Sequence, residues 1–347
     1  MSGEALRSRS ALSKAIRKAE RSIKRILRGT PAYWALYPSW WLSLCYSSKA
    51  IQARCHLTAI PNPGAGIGHQ LANWIAGRWF ASRFELCFAH TPFPDPSWEA
   101  LLNLEAGDAS AIELRRTGIR TLRLPGFDED NPSEVQRVLK IIHRNSRKPT
   151  LFVLEQDQGY RDQFGVREIL RAKYWNSPKL DSIPSSFPSD RFNLVIHVRR
   201  GDIMSGVAKN NPNHLMRYQS ADYFERILGE LVKEFEGAVI KPILIHVFSQ
   251  GNKDEFRAFE RFGEIKYHLE TGPRESFVQM SLADLLVISK SSFSYKPALL
   301  SRGLVVSPRL FWHGYPDSPD WIIAEEDGTL SEDSRKRLGI ALMRIPV

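Results

Sequence analysis

The second half of the sequence alternates between short apolar runs and amphipathic segments, and this alternation restricts the fold more than any other feature. The apolar runs predict strands at 192–198, 243–248, 265–268, 285–288 and 304–306. The segments between them predict helices at 221–236, 253–262, 275–282 and 295–302. Strands joined by helices in this way form a mostly parallel sheet, because each crossover returns the chain to the same edge.

A similar pattern begins near residue 56. A strand, a glycine loop, a helix and a second strand follow one another at 56–60, 64–68, 70–82 and 85–89. Further strands are predicted at 120–124 and 151–155, and a helix at 132–143 that begins with its proline. This half is therefore also α/β.

Proline and serine residues at 183–189 interrupt all periodicity, as a linker does. We place a domain boundary there and predict an α/β fold of two facing Rossmann-like domains, residues 51–186 and 187–347. In such folds ligands bind outside the carboxyl ends of the strands, so we expect the active site between the two domains.

Residues 1–50 form a predicted basic arm. Residues 1–30 contain nine Lys or Arg and two Glu, so they hold +7 of the total charge of +10. Apolar residues recur there at helical spacing, and the aromatic residues of 33–42 follow, including Trp40 and Trp41. We expect residues 1–46 to bind an anionic membrane surface; the alternative is a helix packed on the protein's own flank or a partly ordered leader.

Composition argues against several other classes. Outside residues 1–30 the balance is +3, and residues 31–347 lack the interleaved aromatic and basic pattern of nucleic-acid modules, so no nucleic-acid partner is expected. No signal peptide or membrane-spanning run is recognisable. Three cysteines without a C-x-x-C pair favour a reducing compartment. We expect a cytoplasmic protein, peripheral on a membrane through its arm.

The segment His197-Val198-Arg199-Arg200-Gly201-Asp202 follows the first strand of the second domain. Arginine is almost never fully buried without a partner, so two of them at a strand end need a function. Each offers a permanently charged, planar fork of donors that suits a diphosphate. The alternative is an ion-pair cluster between domains that includes Asp202.

This motif resembles the His-x-Arg-Arg-x-Asp motif of the α1,2-, α1,6- and protein O-fucosyltransferases. Two other segments resemble the same superfamily: the glycine loop at 64–70, where the family has a turn closing on Gly-Asn-Gln, and residues 283–295, which are close to its strand and serine turn. The three segments occur in the family's order, and the resemblance covers most of residues 56–310.

The resemblance implies a GT-B type, inverting transferase that moves fucose from GDP-fucose to a glycan acceptor, with no cofactor and no catalytic metal. Arg199 and Arg200 would be the catalytic groups on the β-phosphate. Asp202 would hold the arginines, and is a weaker candidate for the general base. His197 would orient the nucleotide or its own loop, or is simply hydrogen-bonded in the core. The implied nucleotide-sugar-binding residues are Gly66, Gly68, His69, Gln70, His197, Asp202, Ser291, Ser292, Phe293 and Ser294.

Two positions depart from the family pattern. His69 stands where the family has Asn, so an imidazole replaces an amide. Near Ser276 many relatives have an acidic residue on the guanine edge, and here only the neighbouring Glu275 is acidic. A related transferase with another nucleotide sugar is therefore an alternative, as is a catalytically silent binding protein of the same fold.

Other motif interpretations are weaker. The third glycine of G-x-G-x-x-G would fall at His69, which argues against a nicotinamide site, and no G-K-[ST] follows to make a P-loop. Asp128 and Asp130 have the D-x-D spacing of manganese-dependent glycosyltransferases. They lie in a polar turn before a predicted helix, where acidic residues are favoured by the helix dipole.

Overall fold

The computed structural model describes residues 54–156 and 158–344, and of the preceding segment only Ser22, Ile26, Thr30 and Pro31. The basic arm predicted for residues 1–50 therefore lies outside the described residues. Within the described part, no helix has the length and apolar character needed to cross a bilayer.

Five strands form the first sheet: β1 (His56–Ala59), β2 (Cys87–His90), β3 (Ala109–Ser110), β4 (Arg120–Arg123) and β5 (Thr150–Leu154). The strands are parallel and lie in the order β3-β2-β1-β5-β4. The helices of this part of the chain are α1 (Ile67–Arg83), α2 (Pro96–Leu102), α3 (Ala111–Arg116), α4 (Pro132–Asn145) and α5 (Arg167–Trp175).

Six strands form the second sheet: β6 (Phe192–His197), β7 (Ile243–Phe248), β8 (Glu264–His268), β9 (Leu285–Val287), β10 (Leu304–Pro308) and β11 (Trp321–Ala324). They too are parallel, in the order β11-β10-β9-β6-β7-β8. The helices here are α6 (Asp202–Ala208), α7 (Pro212–Leu215), α8 (Ala221–Phe235), α9 (Pro273–Leu282), α10 (Ser292–Leu300) and α11 (Glu332–Leu342). Short 3-10 helices cover Leu180–Ser182 and Lys253–Phe262.

Two parallel, Rossmann-like sheets confirm the predicted fold class. Each sheet reverses its strand order at one point. In the first sheet the reversal lies between β1 and β5, and in the second it lies between β6 and β9. Ligands of open α/β sheets bind at such switch points, at the carboxyl ends of the strands.

Several local predictions were wrong. The helix predicted from 295 begins at Ser292, whereas the helix predicted at 253–262 has its predicted bounds and is of the 3-10 type. The short strands β3 and β11 and the helices α2, α3, α5, α6, α7 and α11 were not predicted. Most of these are brief edge elements with little periodicity of their own.

The two sheets share a hydrophobic core. One continuous cluster of buried side chains contains Leu57 and Phe80 from the first part of the chain, and Val195, Phe277 and Tyr295 from the second. A second cluster is built from the other face of the second sheet and from α8 and α11. The segment 183–189, where the domain boundary is predicted, contains no helix or strand.

Helix α5 adds polar bonds across the same junction. Tyr174 Oη lies 2.7 Å from Ser281 Oγ, and Trp175 Nε1 donates to the Leu300 carbonyl at 2.9 Å. Arg167, almost completely buried, forms an ion pair with Asp320. The two halves are therefore fixed to each other by both apolar and polar contacts.

Candidate active site

The switch point of the second sheet is bridged by His197 and Ser289. His197 ends β6, and its Nδ1 lies 2.7 Å from Ser289 Oγ, which follows β9. Burial, followed by the positive charge of Arg199, lowers the pKa of His197 to about 3. The imidazole is therefore neutral at physiological pH. Its hydrogen bond connects the arginine motif to the segment that leads into the serine turn, which agrees with the interpretation of His197 as a hydrogen-bonded core residue.

Arg199 is the partly exposed arginine of the motif. Its Nη2 donates to Asp202 Oδ1 at 2.5 Å, and 30% of its side chain is exposed. Gly201 between them has a φ of +67°, and a Cβ there would stand 2.0 Å from Gln250 Oε1, so the turn requires glycine. This turn places Asp202 at the start of α6, where it orients Arg199.

Arg200 points into the protein. Its side chain is 3% exposed, and its Nε donates to Glu255 Oε2 at 2.8 Å. Its Nη1 donates to the carbonyls of Arg199 and Gln219, each at 3.0 Å. The expectation that Asp202 holds both arginines is thus wrong for Arg200, because this side chain turns away from α6 and meets Glu255 instead. Its catalytic role stays a prediction.

The serine turn begins α10. Ser291 is the N-cap, and its Oγ accepts a bond from the Phe293 N–H at 3.3 Å. Ser294 is completely buried and donates to the Ser291 carbonyl at 3.3 Å. Ser292 and Phe293 are half-buried. Ser291 and Ser294 therefore hold the turn, and Phe293 lines the cavity beside it.

The glycine loop of the first sheet meets this turn. A Cβ on Gly68 would stand 2.7 Å from both the carbonyl carbon and the carbonyl oxygen of Ser292. Gly66 is the N-cap of α1, and Gln70 Nε2 donates to the Ala65 carbonyl at 2.6 Å, which closes the loop. His69, the next residue after Gly68, is exposed. The loops of the two switch points are thus in direct backbone contact.

A cavity of about 250 Å³ lies at the carboxyl ends of β6, β7 and β8. Its wall includes His197, Arg199, Arg200, Ser249, Ser276 and Phe293. A larger cavity of about 460 Å³ lies at the amino ends of β9 and β10, and none of the predicted site residues lines it. The smaller cavity therefore lies at the switch point and brings together four of the predicted site residues, His197, Arg199, Arg200 and Phe293; the other predicted residues do not line it.

His313 is a site residue that the sequence analysis missed. Its Nε2 lies 2.7 Å from Ser292 Oγ, and Trp312 Nε1 donates to the same nitrogen at 3.2 Å. An indole N–H can only donate, so Nε2 is unprotonated and the Ser292 hydroxyl donates to it. Because the Ser292 hydroxyl already donates its proton to His313, an anion at this turn would be bound by backbone N–H groups at the start of the helix.

The charge around His313 is positive. Burial, followed by the charges of Lys296, His69 and Arg217, lowers the pKa of His313 to about 2. Lys296 itself is completely buried and donates to Gln163 Oε1. No sequence motif contains Trp312-His313, and only the pairing of an aromatic with a histidine after a strand could have drawn attention to it.

The acidic turn is already occupied by protein groups. Arg161 forms an ion pair with Asp130 and lies 3.7 Å from Asp128, and Glu134 Oε2 accepts from the Asp128 N–H at 2.8 Å. Within the described part of the chain, no group of three His, Cys, Asp or Glu side chains is arranged to hold a metal ion. Metal independence stays a prediction.

No family model and no curated protein matches the sequence. Solved structures with a related arrangement include POFUT1 in complex with GDP, 13% identical with a TM-score of 0.45, covering 78% of this chain and 98% of that one. A mutant of Arabidopsis thaliana FUT1 in complex with GDP is 12% identical with a TM-score of 0.42, covering 87% of this chain and 79% of that one.

A third is the E. coli ADP-heptose lps heptosyltransferase II, 10% identical with a TM-score of 0.41, covering 84% of this chain and 99% of that one. Because each of these TM-scores is below 0.5, the function of this chain has to be argued from its own side chains.

Proposed function

We propose that the protein is a glycosyltransferase that takes a sugar from a nucleoside-diphosphate donor, GDP-fucose in the first place, and transfers it to a glycan acceptor with inversion. One observation carries this proposal. Arg199 and Phe293, which lies in the first turn of α10, line the same switch-point cavity, and the glycine loop of the other sheet meets that helix start at Gly68. A cleft of this form suits a donor whose phosphates need positive charge at a sheet edge.

The cavity has the charge for a diphosphate. Arg199 is held in place by Asp202 at 2.5 Å and still has 30% of its side chain exposed for further bonds. The start of α10 adds N–H groups and the positive end of a helix dipole. Arg200 adds a buried positive charge behind them, although its own donors already bind Glu255 and two carbonyls.

The proposed reaction needs negative charge to be stabilised as the donor bond breaks. An acceptor hydroxyl oxygen attacks the anomeric carbon and gives its proton to solvent water, and the bond from that carbon to the β-phosphate oxygen breaks. The electron pair stays on the phosphate, and the configuration at the carbon inverts. Arg199 and the helix start stabilise the leaving group from fixed positions, which is the arrangement that lowers a barrier most. With these groups present, the step as proposed uses no divalent ion.

One observation favours a second candidate donor. Ser276 lies in the cavity wall and donates to the Thr271 carbonyl at 3.3 Å, whereas Glu275 is exposed and does not line the cavity. The acidic contact that the fucosyltransferase resemblance implies for guanine is therefore missing from this wall. A transferase with an ADP- or UDP-sugar donor is the alternative.

A thermal-shift panel with GDP, UDP, ADP and NAD tests the proposal. A ligand at about a hundredfold excess over its Kd stabilises the native state by about 2.7 kcal/mol, which raises Tm by several degrees. GDP alone should do so. A shift with ADP or UDP instead identifies the alternative donor class, and no shift with any nucleotide refutes nucleotide-sugar binding. GDP binding without sugar transfer from GDP-fucose identifies a silent binding protein.

A further inference from the structure

Arg217 and Trp312 form a pair beside the candidate active site. The Arg217 guanidinium carbon lies 5.6 Å from the centre of the indole ring. Arg217 is exposed and Trp312 is half-exposed. Among residues 54–156 and 158–344, no Asp or Glu forms an ion pair with Arg217. The pair thus presents an apolar ring and a guanidinium that no described carboxylate neutralises.

The pair lies next to the donor cavity but not in it. The chain of bonds from Trp312 Nε1 to His313 Nε2 and on to Ser292 Oγ connects the indole to the serine turn. Ser292 in turn contacts Gly68 of the opposite loop. Neither Arg217 nor Trp312 lines the cavity that contains Arg199. The pair is therefore outside the donor cavity and is connected through His313 to the serine turn, where the two loops meet.

The segment that carries Arg217 is held by the motif itself. Arg200 donates to the Gln219 carbonyl at 3.0 Å, and its guanidinium carbon lies 5.1 Å from the centre of the Tyr218 ring. Gln219 Oε1 accepts a bond from the Lys290 N–H at 2.8 Å. Residues 217–219 are thus fixed at once to the arginine motif and to the serine turn. This gives Arg200 a positioning role that its burial alone does not reveal.

We propose that Arg217 and Trp312 form a binding site for a pyranose ring of the acceptor. The inference rests on the proposed function, because an acceptor ring has to lie beside the donor sugar for its hydroxyl to reach the anomeric carbon. Half-exposed indole offers an apolar surface to the C–H face of a sugar. The planar fork of Arg217 donates to neighbouring hydroxyls of the same ring. A contact of Arg217 with the donor diphosphate is the competing assignment.

Fluorine NMR of protein labelled with 5-fluorotryptophan tests the site. The chain contains nine Trp, and Trp312→Phe identifies the Trp312 resonance by its loss. Glucose, galactose, mannose and N-acetylglucosamine are titrated separately into nucleotide-free and GDP-saturated protein. We expect at least one sugar to shift the Trp312 resonance saturably in both states. Arg217→Gln should raise the apparent Kd of that sugar about tenfold, as the loss of a charged hydrogen bond does.

The matched control is Arg302→Gln. Arg302 lies 4.0 Å over the ring of Trp175, an arginine–tryptophan pair that is remote from the cleft. This variant should leave the sugar titration unchanged. If none of the four sugars shifts the Trp312 resonance, the proposal is overturned. It is also overturned if Arg217→Gln weakens GDP binding about tenfold and leaves sugar binding alone, since Arg217 then serves the diphosphate.

The experiment also separates this proposal from the proposed function. If GDP does not bind but a sugar shifts the Trp312 resonance in an Arg217-dependent way, the sugar site stands and the donor assignment falls. If GDP binds and no sugar acts on Trp312, the donor site stands without this acceptor site.

Discussion

Gly68 lies so close to the backbone of Ser292 that a single added methyl group would stand 2.7 Å from its carbonyl carbon. The obstructing atoms are backbone, so they cannot rotate away as a long side chain would. The closeness of the two loops therefore depends on the missing side chain at this position.

Gly68→Ala should separate the glycine loop from the serine turn. Overpacking of this kind costs about 1–3 kcal/mol of stability, and the distorted cleft should lose at least about tenfold in kcat. Gly159→Ala is the control, because Gly159 is not a predicted site residue and its added methyl meets nothing within 4 Å. Urea unfolding and turnover measured on both variants test the prediction, and equal behaviour of the two would contradict it.

Arg199→Ala should lower kcat about a hundredfold or more, because a fixed donor to the leaving diphosphate is lost. Its Tm should hardly change, since Arg199 is partly exposed and its bond to Asp202 lies at the surface. Single-turnover kinetics with the donor identified by thermal shift are the measurement. If Arg199→Ala retains wild-type turnover, Arg199 does not stabilise the leaving diphosphate and the proposed mechanism is rejected.

Arg200→Ala should lower both kcat and Tm. The buried side chain bonds to Glu255 and to two carbonyls, so its removal leaves those acceptors without a donor. Arg200→Lys should restore activity only in part, because one ammonium cannot replace the planar fork. Circular-dichroism melting beside turnover separates the two effects. Loss of kcat at an unchanged Tm would show that Arg200 binds the donor directly.

His246 and His268 should make the fold sensitive to acid. Their Nδ1 and Nε2 atoms lie 3.0 Å apart. Burial, then the charges of His268 and Lys266, lowers the pKa of His246 to about 3, and burial, then Lys266, lowers that of His268 to about 4. In the unfolded chain both titrate near about 6.5. Below that pH the unfolded state binds more protons than the folded state. The free energy of unfolding therefore decreases as the pH is lowered.

The expected slope is up to about 1.4 kcal/mol per pH unit for each such histidine. Urea unfolding between about pH 7 and pH 5 measures it, and His268→Gln should reduce the slope. An unchanged slope in His268→Gln would show that the pair does not control the acid response.

Activity should survive EDTA. Asp128 and Asp130 are engaged by Arg161, and the proposed charge stabilisation comes from Arg199 and the start of α10. Replacement of both residues by Asn should leave kcat within about twofold, as surface substitutions away from the site usually do. If chelation abolishes turnover and manganese restores it, the metal-independent mechanism is rejected.

Removal of residues 1–46 should abolish co-sedimentation with anionic liposomes and leave turnover of a soluble acceptor intact. Each basic residue near such a surface contributes about 1 kcal/mol, and the attraction weakens with salt. The charge of +7 in residues 1–30 is the reason for the expectation. Equal binding by full-length and truncated protein would contradict it, and a truncated protein that fails to fold would indicate packing of the arm on the protein.

The sequence predicted the sheets well because buried parallel strands are nearly continuous apolar runs. β7 was predicted with its observed bounds, and β6 within one residue. The predicted start of helix α10, at 295, is three residues late, because the helix begins directly after its N-cap Ser291. The N-cap serine was a readable signal, but Ser-Ser-Phe-Ser was interpreted for its chemistry and not for capping.

The sequence predicted the motifs of the candidate site but not the side chains that these motifs contact. Each motif marked a strand end, and topology alone brings such ends to one edge. That Arg200 turns toward Glu255, 55 residues later, depends on how the 3-10 helix at 253–262 packs; the sequence predicts that helix but not its contacts. His313 bonds Ser292 from 21 residues away, and no local pattern gives such a contact.

The continuous core that contains Leu57, Val195 and Tyr295 determines whether the two halves of the chain can be separated or exchanged with those of another protein. Severing the chain near 183–189 would leave each half with a large apolar face in water, so neither half is a self-sufficient folding unit. Chimeras that exchange one half for that of another protein would have to carry over the buried contact surface as well as the catalytic loops. Such a junction also makes wide hinge opening costly, because opening would expose the shared apolar surface to water.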